Sequence, residues 1–310
     1  MLSVILPNYN HAKYLPESLG SYLSQTRPPD ELIIIDDCSS DDSVAVISRL
    51  IEGYPYARLL RNPENKGALV TVRRGFEEAR GDLLMVAPAD DIAAPRLFEV
   101  AVGLLEAHPE AAFFSSASAI IDEHGALLPA PAVPVPLPAP GYIDPAHAAR
   151  ALMRDDSWFM GNTGVYRRSH LEAAGGIPVE LGAFNDGYLM CYLALKHGAC
   201  FSPEALGSWR VLRGSMSWTA NSNIEATADL VEKVMVRMAD HPEVFPAGYP
   251  RCWRSRRLFS AYSFNAGRHF PGDGLPARLL RMLYKLGLFA AMRPGDILPS
   301  VVRHLSHRLR

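Results

Sequence analysis

The first 118 residues alternate short apolar runs with segments of helical spacing, and this alternation limits the fold more than any other feature. The apolar runs are rich in β-branched residues, which is typical of strands buried on both faces of a parallel sheet. Between them, apolar side chains recur three or four residues apart, which predicts amphipathic helices. The predicted strands are 2–6, 31–35, 57–60, 83–87 and 111–116, and the predicted helices are 14–25, 44–51, 67–79 and 95–107. Because the connections are short, we predict a doubly wound, mostly parallel α/β sheet with helices on both faces.

Composition and charge narrow the class of protein. The chain has 310 residues, is 48% hydrophobic and carries a formal net charge of −2. No chain-wide basic field is present to attract nucleic acid, so we expect no nucleic-acid partner. The four cysteines lie far apart without a C-x-x-C pair, which indicates a reducing compartment with neither a disulfide framework nor a thiolate zinc site.

The sequence also bears on location. The first predicted strand begins almost at once, without a basic and apolar leader before it, so we expect no secretory signal. No apolar run reaches the roughly 18 to 20 residues of a membrane span. We therefore expect a cytoplasmic protein, soluble or peripheral on the inner face of the membrane. The basic segment 279–292 leaves two interpretations open: a helix on an anionic membrane surface, or a helix on the core with its basic face in solvent.

Two adjacent carboxylates, Asp90 and Asp91, follow the predicted strand 83–87. Ligands of open α/β sheets bind at the carboxyl ends of the strands. Two acids there repel each other unless a positive charge compensates them, and a divalent cation that also binds diphosphate oxygens meets this need. An oxygen-only site suits Mg²⁺ or Mn²⁺, and the sequence has no His or Cys cluster that would indicate zinc. The alternative is that the two acids cap the helix that Pro95 opens.

Other nucleotide-binding patterns are missing after the first predicted strand. The chain has neither a G-x-G-x-x-G fingerprint nor a Walker A loop there, which disfavours a dinucleotide domain. A nucleotidylyltransferase would need a glycine- and lysine-rich phosphate loop, which residues 7–11 do not form. Prolines recur over 129–140, which predicts an extended surface loop. Further predicted elements are helices 144–154 and 188–197 and strands 158–168 and 205–212.

Several short motifs resemble the start of family 2 glycosyltransferases in order and spacing. They are SVILPNYN at 3–10, LSQT at 23–26, ELIIIDDCSSD at 31–41, NKG at 65–67 and the turn Ala79-Arg80-Gly81. The resemblance covers 2–217 and implies a GT-A fold that transfers a sugar from a nucleoside diphosphate, usually with inversion at the anomeric centre. It implies a catalytic domain over 1–218, with a nucleotide-binding half at 1–118 and an acceptor-binding half at 119–218. Residues 219–310 carry no motif of the resemblance and are predicted to form a helical C-terminal region.

The resemblance implies roles for individual residues on the donor side. Pro7, Tyr9 and Asp37 would bind the nucleotide base, Tyr9 by stacking and Asp37 by hydrogen bonding, whereas Asp36 would be structural. Asp91 would be the direct ligand of Mn²⁺ or Mg²⁺. Asp90 would lie near the ribose or the metal and so contribute to both sites. The implied donor is a nucleoside diphosphate sugar, with a UDP-sugar favoured, and the implied acceptor is a glycan or a lipid-linked acceptor.

Asp186 matches the position of the family's catalytic base. A carboxylate there can take the proton of an acceptor hydroxyl as its oxygen attacks the anomeric carbon. The alternative is that Asn185 or Asp186 caps the helix predicted at 188–197. The glycines of Gly161-Asn162-Thr163-Gly164 match the family's acceptor-side segment and favour the base.

Three positions depart from the family pattern. Asn185 stands where the family often has an acid, Pro88 replaces another acid, and Thr71-Val72-Arg73 replaces Ala-Arg-Asn. The basic residue that would meet the diphosphate is thereby shifted by one, to Arg73 or Arg74. The QxxRW motif of processive synthases is absent, so we expect transfer of a single sugar rather than polymerisation.

Two sets of residues outside these motifs also carry expectations. Residues 210–215, which include Arg210, form either a flexible loop that closes over the diphosphate or a solvated loop with stray basic residues. His11, His170 and His197 are expected to be surface or capping residues rather than ligands.

The leading hypothesis is an inverting, metal-dependent glycosyltransferase that acts in surface polysaccharide or glycan synthesis. The alternative is a non-catalytic sugar-nucleotide-binding protein whose acceptor site has drifted, which the departures from the family pattern motivate.

Overall fold

The computed structural model describes residues 1–129, 134–215, 218–219 and 222–269. Part of the predicted loop 129–140 and all of the predicted helix 279–292 lie outside them. The chain divides into two compact units: the first comprises 1–151, 157–179 and 185–211, and the second comprises 152–156, 180–184 and the chain from Leu212 onward. No helix in the part of the chain that the structure describes is long and apolar enough to cross a membrane.

The first unit is built on one sheet. Its strands are β1 (Leu2–Asn8), β2 (Glu31–Asp36), β3 (Ala57–Arg61), β4 (Leu83–Val86), β5 (Ile92–Ala93), β6 (Phe113–Ile121), β7 (Gly141–Ile143), β8 (Val165–Arg167) and β9 (Ala199–Arg210). Among the described residues the order is β3-β2-β1-β4-β8-β6-β9-β5, with β7 paired to β9. The pairs β1–β2, β2–β3, β1–β4 and β6–β9 are parallel, whereas β8 runs antiparallel to both β4 and β6.

The direction of the chain through the sheet reverses beside β1. The chain runs from β1 to β2 to β3, and then returns to β4 on the other side of β1. In open α/β sheets such a switch point, at the carboxyl ends of the strands, is where ligands bind. The predicted doubly wound α/β fold is confirmed.

Helices connect these strands and continue into the second unit. They are α1 (Leu15–Leu23), α2 (Ser43–Leu50), α3 (Ala68–Glu78), α4 (Leu97–Ala107), α5 (Pro145–Asp155), α6 (Arg168–Ala173), α7 (Asn185–His197), α8 (Ile224–Ala239) and α9 (Tyr249–His269). Two 3₁₀ segments lie at Gly161–Thr163 and Val179–Phe184.

Side chains of β1 alternate between two covered faces, which explains why its apolar run is unbroken. Val4 and Leu6 belong to the core that also contains Leu15 of α1. Ile5 points to the opposite face, where α3 packs so closely that a Cβ added at Gly75 would collide with the Ile5 side chain. Helices therefore cover both faces of β1, as predicted.

The second unit is helical at its C-terminal end as far as the structure describes it. An ion pair of 2.8 Å between Arg254 and Glu232 joins α9 to α8. The buried Arg256 donates to the carbonyl oxygens of Leu152 and Met153, each at 2.7 Å. A helical C-terminal region is thus present, as predicted.

Several predicted boundaries in the second half of the chain are wrong. The predicted strand 158–168 contains the 3₁₀ turn Gly161–Thr163 and only a short β8. The strand predicted at 205–212 begins at Ala199 instead. Gly198 has a φ of 79°, the left-handed conformation that ends α7, so the chain enters β9 at once.

The contact between α3 and β1 predicts the effect of a single methyl group. In Gly75→Ala the added Cβ meets the β-branched side chain of Ile5, which has little rotamer freedom inside a sheet. We expect the free energy of unfolding to fall by about 1–3 kcal/mol, measured by urea unfolding.

The control is Gly103→Ala in α4, where an added Cβ meets no atom within 4 Å. There the substitution should stabilise the helix by about 0.5–1 kcal/mol. Equal urea midpoints for the two variants would contradict the close packing of α3 on β1.

Candidate active site

The ends of β1 and β2 are tied together by Asp36. Its buried carboxylate accepts a hydrogen bond from Asn8 Nδ2 at 2.8 Å and one from Ser39 Oγ at 2.6 Å. The backbone N–H of Ser39 donates to the same carboxylate at 3.0 Å. Asp36 therefore fixes the two loops relative to each other, in keeping with the structural role expected of it.

Asp37 anchors a different loop. Its Oδ1 accepts from Asn62 Nδ2 at 2.6 Å and from the N–H of Lys66 at 2.9 Å, and its Oδ2 accepts from the N–H of Gly67 at 2.8 Å. Burial raises the pKa of Asp37, but these donors outweigh it and hold the pKa below its ordinary value. The loop that carries the NKG motif is thus fastened to the end of β2, and Gly67 starts α3 with a φ of 85°.

Arg73 lies beside this same loop. With Arg61, Lys66 and Arg74 it lines a cavity of about 350 Å³ beyond the end of β3. Two strands, β2 and β1, separate β3 from β4 in the sheet. The structure therefore groups Arg73 with the loop that Asp37 anchors.

The loop after β1 places an aromatic ring and an imidazole at the switch point. Tyr9 exposes 43% of its surface, and Pro7 pairs with Ile35 of β2 within β1. His11 Nδ1 lies 2.7 Å from the carbonyl oxygen of Tyr9, and its Nε2 lies 4.0 Å from Asp90 Oδ2. His11, expected to be a surface or capping residue, keeps 30% of its side chain exposed and belongs to the loop that faces the acidic pair.

Asp90 and Asp91 lie between β4 and β5. Helix α4 begins at Leu97, and its N-cap residue is Arg96, so the capping interpretation of the two acids is wrong. Burial, and then the charge of Asp90, raise the pKa of Asp91 to about 8, against a hydrogen bond from the N–H of Arg210. Burial also raises the pKa of Asp90, although His11 opposes the shift.

The donor set at this point fits a divalent cation. Both carboxylates are disfavoured as anions by burial, and a nearby cation would favour their ionised forms. The described residues contain no group of three His, Cys, Asp or Glu side chains that could hold an ion. A cation here would complete its coordination with water and ligand oxygens, which is usual for Mg²⁺ and Mn²⁺.

The buried Arg210 supports the acidic pair from the interior of the protein. Its side chain, only 1% exposed, forms an ion pair with Glu17. It donates through Nε to the carbonyl oxygen of Asp90 at 2.8 Å, while its backbone N–H donates to Asp91 Oδ1 at 2.8 Å. Both loop interpretations of Arg210 are therefore wrong, because it is the last residue of β9 and its guanidinium is buried.

The 3₁₀ turn Gly161–Thr163 connects the acidic pair to Asp186. Asn162 donates to Ser118 Oγ at 3.1 Å, and it lies near enough to Asp91 to lower the pKa of that carboxyl. A Cβ built on the adjacent Gly161 would lie 2.5 Å from Asp186 Oδ2. Two consecutive residues of one turn thus lie close to the two acidic groups, which brings these groups to the same end of the sheet.

Asp186 lies in the first turn of α7. Its Oδ1 accepts from the N–H of the next residue, Gly187, at 2.7 Å, which differs from the bond of an N-cap to the second or third helical residue. The side chain is accessible to solvent, yet protein atoms crowd it, and the resulting loss of water raises the pKa of its carboxyl. A carboxylate with a raised pKa is a stronger base.

Sequence reasoning did not find the roles of Arg210, Asn162 and His11 at this site. The glycines around Asn162 matched the family's acceptor-side segment, and the lack of a side chain at Gly161 is what lets the turn lie so close to Asp186. No local pattern marks Arg210. The rings of His170 and His197 contact each other, with centroids 4.3 Å apart.

Comparison with known proteins agrees with this geometry. The sequence profile of the family described as "Glycosyl transferase family 2" matches residues 3–169. The chain belongs to glycosyl transferase family 2. Its relatives include the "Uncharacterized glycosyltransferase YibD" of Escherichia coli, 40% identical over 98 residues, which are 32% of this chain and 28% of YibD. Glycosyltransferase GlyG of Streptococcus pneumoniae is 30% identical over 99 residues, 32% of this chain and 33% of GlyG.

A further relative is TuaG of Bacillus subtilis, a glycosyltransferase named for teichuronic acid biosynthesis. It is 32% identical over 91 residues, which cover 29% of this chain and 36% of TuaG. The chain thus matches about a third of the length of these three family 2 relatives.

Solved structures show the same fold over most of the chain. Staphylococcus aureus TarS 1-349 in complex with UDP-GlcNAc has a TM-score of 0.66 at 16% identity, covering 91% of this chain and 79% of TarS 1-349. The mannosyltransferase PcManGT from Pyrobaculum calidifontis, in complex with GDP-Man and Mn²⁺, has a TM-score of 0.59 at 20% identity, covering 98% and 86%. The GT-A fold of this family 2 member is therefore confirmed.

The burial of Arg210 predicts a large effect on stability. Arg210→Met keeps the volume but leaves Glu17, the Asp90 carbonyl and the neighbouring carbonyl of Asp122 without this donor. We expect the free energy of unfolding to fall by about 2–4 kcal/mol, measured by urea unfolding.

The matched control is Arg96→Met, which removes exposed ion pairs to Glu99 and Glu204. Such surface pairs contribute about 0–1 kcal/mol, so this variant should unfold near the wild-type midpoint. Similar losses in the two variants would show that Arg210 is no more important than a surface arginine.

Proposed function

We propose that this family 2 member is an inverting, metal-dependent transferase that moves one sugar from a nucleoside diphosphate sugar to an acceptor hydroxyl. The observation that carries the proposal is the turn at Gly161 and Asn162, which lies against Asp186 on one side and near Asp91 on the other. A base for the acceptor and an acidic pair for the donor thus lie beside the same turn. Each group alone has structural explanations, but their convergence at the switch point of the sheet is expected of a transferase site.

On the donor side, the proposed base-binding residues are Pro7, Tyr9 and Asp37. The exposed ring of Tyr9 is free to stack on a base, whereas the Asp37 carboxylate already accepts from three protein groups. We therefore propose that Asp37 contributes mainly by fixing the loop at 62–67. Arg73 lies beside this loop and would contact the nucleotide from there. This loop lies at the side of the sheet away from β4.

At the diphosphate, Asp91 and Asp90 would hold Mn²⁺ or Mg²⁺. When bound, the cation supplies positive charge that stabilises the leaving nucleoside diphosphate. The chain's own part is to keep the two carboxylates fixed, which Arg210 does by donating to the backbone carbonyl of Asp90 and to the carboxylate of Asp91. It also keeps them poorly hydrated, which strengthens their interaction with a cation.

On the acceptor side, Asp186 would act as the general base. The acceptor hydroxyl transfers its proton to the carboxylate while its oxygen bonds to the anomeric carbon, and the bond from that carbon to the diphosphate oxygen breaks. A single displacement of this kind inverts the anomeric centre. The raised pKa of Asp186 suits it to accept the proton.

The comparisons support the proposed substrate class. TarS binds UDP-GlcNAc and PcManGT binds GDP-Man, so nucleoside diphosphate sugars are the donors to test first, with UDP-sugars favoured. TuaG is named for the synthesis of a surface polymer, and we propose a glycan or lipid-linked acceptor in surface polysaccharide synthesis. We propose that the protein acts in the cytoplasm, as a soluble protein or one peripheral on the inner face of the membrane.

A second candidate function is a sugar-nucleotide-binding protein without transferase activity. Val72, which occupies the place of the family's usual arginine, is buried, so no basic side chain reaches out from that position. Asn185 and Pro88 likewise replace acids of the family pattern. One glycoside product formed with any acceptor would exclude this candidate.

The role of Asp186 predicts a loss of turnover with donor binding retained. Asp186→Asn keeps the size of the side chain but cannot accept the proton, so we expect the rate of transfer to fall by about 10²–10⁴-fold. The affinity for the donor, measured by calorimetry, should stay within about twofold because the side chain does not contact the donor-side acids directly. Transfer is measured as release of nucleoside diphosphate in the presence of acceptor.

The control is Asp82→Asn, which changes a carboxylate that is 86% exposed and forms an ion pair of 3.6 Å with the N-terminus. Its transfer rate should equal that of the wild type.

The raised pKa of Asp186 also predicts the pH dependence of the wild type. As the pH falls, the transfer rate should be lost with an apparent pKa above the ordinary range of a carboxyl group, because protonated Asp186 cannot act as a base. Full activity of Asp186→Asn would show that another group is the base.

A further inference from the structure

The cavity of about 350 Å³ beyond the end of β3 collects positive charge. Four basic side chains and one acidic side chain contribute to its lining. These charged residues are Arg61, Lys66, Arg73, Arg74 and Glu77. Pockets that hold small ligands have volumes of about 300–1,000 Å³, so the cavity has room for a phosphate group and part of the molecule that carries it.

The positive charge at this cavity is not neutralised by neighbouring carboxylates. In the part of the chain that the structure describes, none of the four basic side chains forms an ion pair with a carboxylate. Glu77 pairs with neither Arg73 nor Arg74, although it follows them by four and three residues on α3. By contrast, the other arginine of β3, Arg58, pairs with Glu78 at 3.0 Å. Like charges gathered around a concave surface raise its positive potential, which attracts anions.

The guanidinium of Arg74 is held in place by protein groups. Its Nη1 donates to the carbonyl oxygen of Arg61 at 2.9 Å and to Asn62 Oδ1. Asn62 is itself buried and donates through Nδ2 to Asp37 Oδ1 at 2.6 Å and to Thr71 Oγ1 at 2.9 Å. The position of Arg74 is therefore fixed through Asn62 by the same network that anchors the loop at 62–67.

The orientation of Arg74 leaves donors for a ligand. A guanidinium has five N–H groups, and the two bonds of Arg74 use both hydrogens of Nη1. Among the described residues, the N–H groups of Nε and Nη2 have no acceptor. These two nitrogens form a planar fork that matches two oxygens of one phosphate group.

The cavity and the acidic pair lie at different strands of the sheet. β2 and β1 lie between β3 and β4. Neighbouring strands are about 4.8 Å apart, so β3 and β4 are separated by about 14 Å. A phosphate group bound beside Asp90 and Asp91 is therefore not the one that would fill the cavity.

We propose that this cavity binds a phosphate group of a second ligand, one other than the donor nucleotide. Arg74 would bind two phosphate oxygens through Nε and Nη2, and Arg61 and Lys66 would add positive charge. Two sources carry this chemistry, a soluble phosphorylated compound and the headgroup of a phospholipid. The inference goes beyond the proposed function and does not depend on it, because Asp90, Asp91 and Asp186 take no part.

The test measures the binding of inorganic phosphate by calorimetry, in EDTA and at low ionic strength. Without a divalent cation the acidic pair repels the anion, so the cavity is the expected site. The wild type should bind phosphate saturably, and added NaCl should weaken the binding. In Arg74→Lys, which keeps the charge but loses the fork, we expect the affinity to fall by about tenfold. In Arg61→Gln, which removes the charge of an exposed side chain, it should fall by about threefold or more.

The matched control is Arg49→Gln, which removes the same charge from an exposed arginine in the last turn of α2, outside the cavity. It should bind phosphate like the wild type. The Arg61 side chain forms no hydrogen bond within the described residues, so Arg61→Gln keeps the test valid even if Arg74→Lys unfolds. Arg73 is left unchanged because the proposed function assigns it to the nucleotide.

Vesicle sedimentation distinguishes the two sources of the phosphate group. It compares vesicles of phosphatidylcholine alone with vesicles that also contain phosphatidic acid. If the wild type sediments with phosphatidic acid and Arg61→Gln does not, the ligand is a phospholipid headgroup. If phosphate binds in calorimetry and neither protein sediments, the ligand is a soluble phosphorylated compound.

Two results would overturn the inference. One is the absence of saturable phosphate binding by the wild type at low ionic strength. The other is an equal affinity for phosphate in Arg61→Gln and Arg49→Gln, which would show that the anion is attracted by the general surface charge and not by the cavity.

Discussion

Two neighbouring carboxylates lie largely out of water at the end of β4, and their mutual repulsion is the main electrostatic cost at this position. Asp90 and Asp91 can be kept there only if the backbone that carries them is fixed by other groups. The buried guanidinium of Arg210 provides this support through the Asp90 carbonyl, and its ion pair with Glu17 keeps the guanidinium in place. Arg210 approaches from the interior, whereas the Asp90 side chain keeps 20% of its surface exposed.

The sheet then sets what surrounds that position. β1 lies between β2 and β4, so the loop with Tyr9 and His11 is beside the acidic pair, and Asp36 ties this loop to the end of β2. Because β8 pairs with β4, the 3₁₀ turn Gly161–Thr163, which precedes β8, also lies at this end of the sheet. Asp186 packs against Gly161 of that turn. Groups from both halves of the sequence thus meet at one edge of one sheet, which a transferase needs in order to bring two substrates together.

Local patterns in the sequence predicted the parts of this arrangement that depend on local interactions. The alternation of apolar runs and helical spacing gave the parallel half of the sheet, and the position of Asp90 and Asp91 after a buried strand indicated a ligand site. Long-range contacts were not predictable in this way: Arg210 lies 119 residues from Asp91, and no pattern around it indicates burial. The start of β9 at Ala199 and the orientation of His11 likewise depend on partners distant in the chain.

The measurement that tests the central claim most directly is a thermal-unfolding panel with UDP, GDP, dTDP and CDP, each with Mn²⁺ and with EDTA. A ligand that binds only the folded protein stabilises it by about 2.7 kcal/mol at a hundredfold excess over its Kd, which raises the Tm. The account predicts a rise in Tm with at least one nucleoside diphosphate that disappears in EDTA and in Asp91→Asn. No rise with any of the four, or a rise that persists unchanged in EDTA, would contradict a cation-dependent donor site at the acidic pair.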